Sequence, residues 1–491
     1  MIHAYIHASL MLVTFLCCLT NSNAQIVMNR EEAITKGVLC CDDIESEILR
    51  CRNEQLAYDN IKKSYLPAIS LTMSPLSFNH SMRLLQSPVD GDYYNVNDYT
   101  NTSASGVTFT QKVRSTGGKL SLSSFVSFLR NFSSKNTSVS ASPVYFGYSQ
   151  PLFGGGKSVK LEWEIQVVKT SLATKRLYAL LAEKQQEISS LYLLAYTQYA
   201  NIVISEKSVA ISDSLQSFAN IRRSQGRITA AEFDMVRCQY IDDRMELAKA
   251  QHDLAETRRK LELMLKCDSV AIEEPQYSFL PLNLSETEYM ERVKQNNPYV
   301  LSHKLEERMA AKDVHDVRSE TRFNADVSLS YGLNQYASDF QKAYSHPSQS
   351  QSVNVTLRIP VFQWGINRNR RIMVENEYEA VKKEQIRKSI ELQETTRRLV
   401  FDYNYARAMA DLAKERSLVT QSLYMQAVNK YKHGKLSAYD LIKANKEQYD
   451  VQKDFASLLQ QLYDNYYSLR ALSLYDAVKK EKLEEIFKLK I

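Results

Sequence analysis

Two long stretches of this chain contain almost no helix-breaking residue, and this feature constrains the fold most strongly. Residues 152–274 and 361–491 contain no proline, and beyond their first few positions each contains a single glycine, Gly226 or Gly434. Proline breaks helices and glycine weakens them. Each stretch is therefore predicted to fold as a long helix, a turn at the glycine and a second helix.

The two stretches share an order of features that indicates an internal duplication. The prolines that open them lie 209 residues apart, and the two turn glycines lie 208 residues apart. An aromatic residue follows two positions after each proline, so the predicted strand-to-helix junctions are Pro151, Phe153, Pro360 and Phe362. Seventy residues separate Gly156 from Gly226. At about 1.5 Å per residue, each long helix is expected to measure ~105 Å.

Period-two alternation of apolar and polar residues precedes each long helix. Val327 and Leu329, for example, alternate with polar residues, as in a strand with one buried face. The predicted strands are 67–77 and 139–150 in the first copy and 325–334 and 352–361 in the second. Residues 78–138, rich in Ser, Asn, Thr and Gly, are predicted to form a surface loop. A further hairpin within 107–128 is an alternative, and it either extends the strands or replaces the first pair.

The N-terminus is predicted to be removed on export. Leu10–Leu19 is an apolar segment of signal-peptide length, and small residues precede an expected cleavage after Ala24. A lipid anchor on Cys17 or Cys18 is the less favoured alternative, because the small residues of a lipoprotein cleavage site are missing. The predicted organisation is a signal peptide (1–24), an N-terminal segment (25–45), a first repeat (46–267, helical hairpin 157–267), a linker (268–295), a second repeat (296–478, helical hairpin 366–478) and a tail (479–491).

Composition and motifs argue against several classes of function. The 62 Lys and Arg against 56 Asp and Glu give a net charge of +6 spread over 491 residues, so no nucleic-acid partner is predicted. Five scattered cysteines remain after export, which is no disulfide framework, and a metal site at Cys40, Cys41 and Cys51 fits no closed ligand pattern. The sequence has no P-loop, GxSxG or HExxH motif. We therefore predict no enzyme, no catalytic residue, no metal and no cofactor.

Four predicted strands per chain are too few to close a membrane barrel, whose smallest examples have eight. Open strand edges are not tolerated in lipid, because their backbone groups have no hydrogen-bond partner there. If the strands enter a membrane, several copies must share one barrel. Three copies of four strands give twelve strands and leave room for a channel.

The duplicated junctions, the duplicated turns and the export signal together resemble the TolC family of outer-membrane efflux and secretion channels. The resemblance covers about 45–478, and Tyr431 to Gly434, followed by Asp440, lies near the family pattern. It implies an α+β membrane protein with two repeats of helix, two strands, long helix and helix. It further implies a homotrimer whose twelve-stranded barrel in outer-membrane lipid continues into an α-helical tunnel, with most of the chain in the periplasm.

Function and partners follow from the same resemblance. The chain is expected to be a passive exit duct of an efflux or type I secretion system. Its partners are expected to be a periplasmic adaptor protein and an inner-membrane efflux pump or ABC transporter. The competing interpretation is an exported coiled-coil scaffold that forms no channel.

The resemblance also implies a gate near the second turn, where family members often carry two acidic residues three positions apart. Asp440 matches the first position, but Lys443 stands at the second, so cation selectivity is not implied. Asp440 and Lys443 pair across the gate in one reading, and Lys443 is simply solvated in the other. Glu232 is the equivalent of Asp440 at the first turn, and it either adds charge or is solvated.

Both turns are basic and are expected to contact the adaptor. The residues concerned are Arg222, Arg223, Gly226, Arg227, Tyr431, Lys432, Gly434 and Lys435. The alternative for each cation is neutralisation of a helix C-terminal dipole. The two glycines have a role that is independent of family, because a tight reversal requires the positive φ that glycine adopts cheaply.

Overall fold

The computed structural model describes residues 26–86, 91–132, 134–267, 270–273 and 275–487. The predicted signal peptide, its cleavage site and the two cysteines within it lie outside the described residues. The chain divides into two compact units. The sheet unit comprises Cys51–Ala173 and Leu301–Lys388, and the helical unit comprises the chain up to Arg50, Thr174–Val300 and Ser389 onwards.

Helices dominate the chain, and two of them are far longer than the rest. The helices are α1 (Arg30–Leu39), α2 (Asp42–Lys63), α3 (Gly155–Ser224), α4 (Ala230–Leu265), α5 (Glu286–Asn296), α6 (Pro298–Thr321), α7 (Lys342–Ser345), α8 (Ile366–Lys432), α9 (Ala438–Ser473) and α10 (Leu483–Phe487). The long helices α3 and α8 have 70 and 67 residues. Within the described residues, no helix is both long enough and apolar enough to cross a lipid bilayer.

Six strands form one sheet, and four short strands form two small ladders. The strands are β1 (Ile26–Met28), β2 (Ala68–Gln86), β3 (Tyr93–Lys112), β4 (Lys119–Asn131), β5 (Asn136–Pro151), β6 (Val270–Ile272), β7 (Asn324–Ala337), β8 (Ser348–Arg358), β9 (Tyr475–Asp476) and β10 (Glu481–Lys482). The large sheet has the order β2-β3-β4-β5-β7-β8, and every neighbouring pair is antiparallel.

The predicted surface loop at 78–138 is wrong. This segment instead contains the end of β2, all of β3 and β4 and the start of β5. The hairpin considered within 107–128 is present, and it extends the strands instead of replacing the first pair. Among the described residues, the large sheet of one chain therefore has six strands and not the four predicted.

The lower part of the sheet, towards the strand ends from which the helices leave, has two chemically distinct faces. On one face apolar side chains follow one another across all six strands in register: Ile69, Leu71, Val107, Phe109, Leu120, Leu122, Phe146, Tyr148, Val327, Leu329, Tyr331, Val353 and Val355. The other face carries mostly small and polar residues at the same levels, with Tyr145 as a larger one: Ser70, Thr108, Ser121, Ser123, Tyr145, Gly147, Ser328, Ser330, Ser352 and Asn354. Because successive side chains of a strand point to opposite faces, this division follows directly from the alternation in the sequence.

In the helical unit, apolar residues at spacings of three and four bury one stripe of each long helix. Leu177, Leu181 and Ile188 of α3 are almost fully buried, as are Tyr403 and Ala410 of α8. This spacing places successive side chains on one helix face, which is the pattern of helix-on-helix packing.

The segment between the two repeats is tied to the helical unit. Strand β1 pairs in parallel with β6. The Tyr403 hydroxyl donates to the Pro281 carbonyl at 2.8 Å, and the Asn404 amide both accepts from the Leu284 N–H and donates to its carbonyl. Arg30, the first residue of α1, is buried, and its guanidinium donates to the Tyr467 hydroxyl at 3.0 Å. Polar bonds therefore fix this segment along the long helices.

Candidate channel mouth at the helix tips

The first tip is a glycine-dependent helix C-cap. Gly226 has φ +66°, its N–H donates to the Arg223 carbonyl at 3.0 Å, and the Arg227 N–H donates to the Arg222 carbonyl at 2.9 Å. These two bonds form a Schellman motif, which satisfies the last carbonyls of a helix and requires a left-handed residue. The chain therefore ends α3 and reverses direction within five residues, from Gln225 to Thr229.

The second tip repeats this geometry. Gly434 has φ +74°, its N–H donates to the Tyr431 carbonyl at 2.9 Å, and the Lys435 N–H donates to the Lys430 carbonyl at 2.9 Å. The duplication seen in the sequence therefore extends to individual hydrogen bonds.

The acidic residues predicted for the gate each contact the N-cap residue of the helix that follows the tip, Thr229 for α4 and Ser437 for α9. The Glu232 carboxylate accepts from the Thr229 N–H at 2.9 Å and from its hydroxyl at 3.0 Å, and the Thr229 hydroxyl accepts from the Glu232 N–H. At the second tip the Ser437 hydroxyl donates to the Asp440 carboxylate at 2.7 Å and accepts from the Asp440 N–H at 3.1 Å. The first arrangement is a capping box. The backbone bond from Thr229, followed by its hydroxyl bond, lowers the pKa of Glu232, which stays ionised at neutral pH.

Lys443 lies on α9 one turn beyond Asp440, and both side chains are exposed. Within the described part of the chain, Lys443 forms no ion pair with Asp440 in this single copy. Both residues lie on one helix, as the sequence predicts. The Asp440 carboxylate accepts a hydrogen bond from the Ser437 hydroxyl. The charge of Lys443 is therefore directed to solvent at the tip.

A buried tyrosine and a half-buried arginine connect the two tips. Tyr431 packs in an apolar cluster with residues from all four hairpin helices, including Ala219, Val236 and Leu441. The Arg222 guanidinium lies over the Tyr431 ring at 5.6 Å from its centroid, and its Nη2 is 3.5 Å from the Tyr431 carbonyl oxygen. Burial raises the pKa of Tyr431, so its hydroxyl is neutral and the contact is of the cation–π type. Next to the tips, the two hairpins therefore meet through an apolar cluster and the Arg222 cation.

The remaining tip cations are exposed. Arg223, Arg227, Lys432 and Lys435 all lie at the solvent surface, and among the residues described none of them forms an ion pair. Arg223 lies over the Phe233 ring at 4.7 Å. Uncompensated positive charge therefore concentrates at both tips.

Sequence reasoning missed a buried polar cluster on the tip-distal side of this site. Asp243 of α4 is buried, and its carboxylate accepts from Gln239 at 2.7 Å and from Asn445 at 3.5 Å. The Asn445 amide oxygen in turn accepts from the Ser208 hydroxyl at 3.3 Å. Burial is the largest influence on the pKa of Asp243 and raises it. The available signal was position, because Asp243 stands seven residues after buried Val236, on the apolar stripe of α4.

The predicted junction residues lie in the sheet unit. Pro151 ends β5, and Phe153 packs edge-on against Phe323 with ring centroids 4.9 Å apart. Pro360 follows the end of β8, and Phe362 packs on Trp364 at 4.7 Å with both rings largely exposed. Among the described residues, no cluster of three or more His, Cys, Asp or Glu is placed to hold a metal ion.

A family model described as "Outer membrane efflux protein" matches residues 290–473, which include the second tip and the second pair of strands. Residues 290–473 therefore match the outer membrane efflux protein family. This match confirms the family predicted from the duplicated tips and junctions and supports an outer-membrane efflux channel. No curated protein matches the sequence.

Solved channel structures share the fold of this efflux protein over nearly its whole length. The CmeC outer membrane channel of Campylobacter jejuni matches with a TM-score of 0.65 at 12% identity, covering 96% of this chain and 93% of that one. The outer membrane protein VceC of Vibrio cholerae matches with a TM-score of 0.64 at 11% identity, covering 90% and 96%. The outer-membrane channel OprN matches with a TM-score of 0.65 at 13% identity, covering 90% and 89%. At these identities the likeness shows the fold.

Proposed function

We propose that three copies of this efflux protein form the exit duct of a trans-envelope efflux or type I secretion system. The six-stranded sheets join in a barrel within the outer membrane, and the long helices form a tunnel through the periplasm, where most of the chain lies. The tips meet a periplasmic adaptor protein that is tied to an inner-membrane efflux pump or ABC transporter. The duct is passive and performs no catalysis.

The observation that carries this proposal is the division of the sheet into an apolar and a small polar face. Apolar side chains occupy this face in all six strands. Those exposed in the single chain include Ile69, Leu71, Phe109, Leu122, Phe146, Leu329, Val353 and Val355. A contiguous exposed apolar band of this kind marks a membrane or protein interface. Membrane strands alternate between apolar residues towards lipid and polar residues towards the lumen, and the sheet has this alternation on both counts.

The tips support the remaining part of the proposal. Four of their cations, Arg223, Arg227, Lys432 and Lys435, are exposed and form no ion pair in the described chain, so an acidic surface on the adaptor is the complementary partner. The gate is formed where Asp440 and Lys443 of three copies converge, with Glu232 contributing at the first tip. Since the Asp440 and Glu232 carboxylates already accept hydrogen bonds from the N-cap residues Ser437 and Thr229, Lys443 supplies the variable charge at the mouth.

Single-channel recording of the detergent-purified mature protein in planar bilayers tests this assignment. We expect stable insertions of a species with trimer mass and a small conductance, because the tips close the entrance. Replacing Lys443 with aspartate should shift the selectivity towards cations several-fold, since three positive charges become negative at the mouth. Lys249→Asp is the matched control, because it makes the same charge change at an exposed position on α4 away from the tips.

Two outcomes would contradict the proposal. Protein that purifies from the soluble fraction and never inserts would support the exported scaffold instead. Insertion with identical selectivity in the wild type and Lys443→Asp would exclude residue 443 from the mouth.

A further inference from the structure

The two edges of the six-stranded sheet are complementary to each other, and we infer that β8 of one copy pairs with β2 of the next with a stagger of six residues. This inference rests on the proposed function, in which copies of the chain share one barrel. With three copies, it assigns the barrel eighteen strands.

Strand direction makes the two edges compatible. The sheet has an even number of strands, and each runs antiparallel to its neighbour, so β2 and β8 run in opposite directions. Placing β8 beside β2 of another copy therefore continues the antiparallel alternation without interruption. Both strands present a row of unpaired backbone groups at these edges, and such edges require partners in lipid.

The stagger follows from the register within the sheet. The paired residues that lead straight across it are Ala68, Thr110, Ser121, Gly147, Ser330 and Ser352. We count how far each strand extends beyond this line at the end of the sheet that joins the helices. The first strand, β2, starts on the line at Ala68. The extension is two residues for β3 and β4, which end and begin at Lys112 and Lys119, four residues for β5, which ends at Pro151, and six residues for β7 and β8, which begin and end at Asn324 and Arg358. If Ala68 of a second copy lies opposite Arg358 of the first, the start of its β2 is aligned with the end of β8. The strands of the two copies then overlap along the whole of β8.

This stagger has the tilt of known barrels. Six residues of about 3.3 Å over six strands about 4.8 Å apart correspond to a tilt of roughly 35°. A barrel whose shear equals its strand number has strands tilted by about 36°, and membrane barrels have tilts of about 35–45°. The internal register of one copy is therefore already that of a closed barrel.

The side chains at the inferred seam match. The stagger places Leu357 opposite Ile69, Val355 opposite Leu71 and Val353 opposite Met73, so the apolar face continues from one copy to the next. An even stagger is required for this continuity, because a shift by one residue would place each side chain on the wrong face.

The exposed fractions of these edge residues also indicate that a neighbouring strand is missing. Val355 is 59% exposed and Leu71 is 63% exposed, whereas Leu329 and Phe146 on interior strands of the same face are 38% and 41% exposed. Interior strands have neighbours on both sides, and edge strands have one. The difference is the area that an adjacent strand would cover.

Three copies of a six-stranded sheet give eighteen strands and a total shear of eighteen residues. Barrel diameter grows roughly in proportion to strand number, so the pore through the membrane would be about 1.5-fold wider than in a twelve-stranded barrel. Eighteen-stranded membrane barrels leave an aqueous channel.

Disulfide cross-linking of the full-length mature protein in its native membrane tests the seam. The variant Leu71→Cys/Val355→Cys should yield, under mild oxidation, covalent chains that end in a closed ring of three copies on non-reducing gels. The matched control Thr72→Cys/Val355→Cys places the two thiols on opposite faces and should form at least tenfold less. Ile69→Cys/Leu357→Cys is an independent second pair, and the wild type reports any contribution of the native cysteines.

The outcomes separate the seam from the proposed function. A three-copy ring with the first and second pairs supports the inference. A stable membrane trimer, by native mass, in which neither pair cross-links would overturn the seam and leave the exit duct standing. A covalent ring of two copies would overturn eighteen strands in favour of twelve. A soluble monomer would overturn the seam together with the proposed function.

Discussion

At the residue scale, Asp243 is the group whose environment departs most from expectation. An aspartate on a helix normally faces solvent, yet this one is buried among Gln239, Asn445 and Ser212, and burial raises its pKa. A raised pKa means that the folded state binds the proton more tightly than the unfolded chain. The stability that comes from the protonated form is therefore complete below the unfolded pKa and is lost as pH rises through the folded value.

Replacing Asp243 with asparagine should remove this pH dependence. Between pH 4 and pH 8 the wild-type protein should lose about 1–2 kcal/mol of stability relative to the variant, the cost of a partly compensated buried charge. Thermal unfolding followed by circular dichroism across this range measures the difference. Asp242→Asn, at the neighbouring exposed position, should follow the wild type. Parallel pH profiles of Asp243→Asn and the wild type would show that this carboxylate is not destabilised by burial.

Asp243 also shows a limit of sequence reasoning. No motif marks Asp243 in the sequence, and only its spacing of seven residues from the buried Val236 places it on the buried stripe of α4. The tips were easier, because the positive φ of a helix reversal can be read directly from an isolated glycine.

At the element scale, the two tips differ in one respect despite their shared hydrogen bonds. A Cβ on Gly434 would lie 3.0 Å from Arg222 Nη2, whereas a Cβ on Gly226 would meet nothing within 4 Å. Both glycines hold positive φ, so the backbone strain of a substitution is the same at each. A side chain at position 434 of the second tip is therefore also restricted by Arg222 of the first tip.

This difference gives a paired prediction. Gly226→Ala should destabilise its hairpin by about 1 kcal/mol through backbone strain alone. Gly434→Ala should cost measurably more, because it also displaces Arg222 from the Tyr431 ring. Hydrogen exchange of the tip amides, measured by mass spectrometry on both variants, compares the two costs. Equal protection losses at both tips would mean that the Arg222 contact contributes nothing.

The strands show why composition misled the sequence reading of 78–138. Residues such as Ser121 and Ser123 alternate with Leu122, and the polar half of this alternation resembles a loop by composition. In a sheet whose second face is small and polar, half of every strand has loop-like residues. The helices raised no such ambiguity, because the absence of proline and glycine is a positive signal over 60 or more residues.

At the scale of the whole molecule, the proposed function depends on which sheet face meets lipid. Leu329→Lys places a charge on the apolar face, and Ser328→Lys places the same charge one residue away on the polar face. A lysine towards lipid costs about 2–4 kcal/mol at the bilayer centre. Leu329→Lys should therefore reduce the amount of assembled channel in the outer membrane several-fold, while Ser328→Lys should assemble normally. Membrane fractionation with native gels measures both, and the opposite ranking would reverse the assignment of the faces.

The unequal repeats have a consequence for how such a protein evolves. The first repeat contributes four strands to the sheet and the second contributes two, so one β-hairpin distinguishes them. A hairpin is the smallest insertion that preserves the direction of both outer strands, and with them the way neighbouring copies meet. In the proposed barrel, a single in-frame insertion of one hairpin would thus widen the exit by two strands per copy and leave the sequence of the tips unchanged.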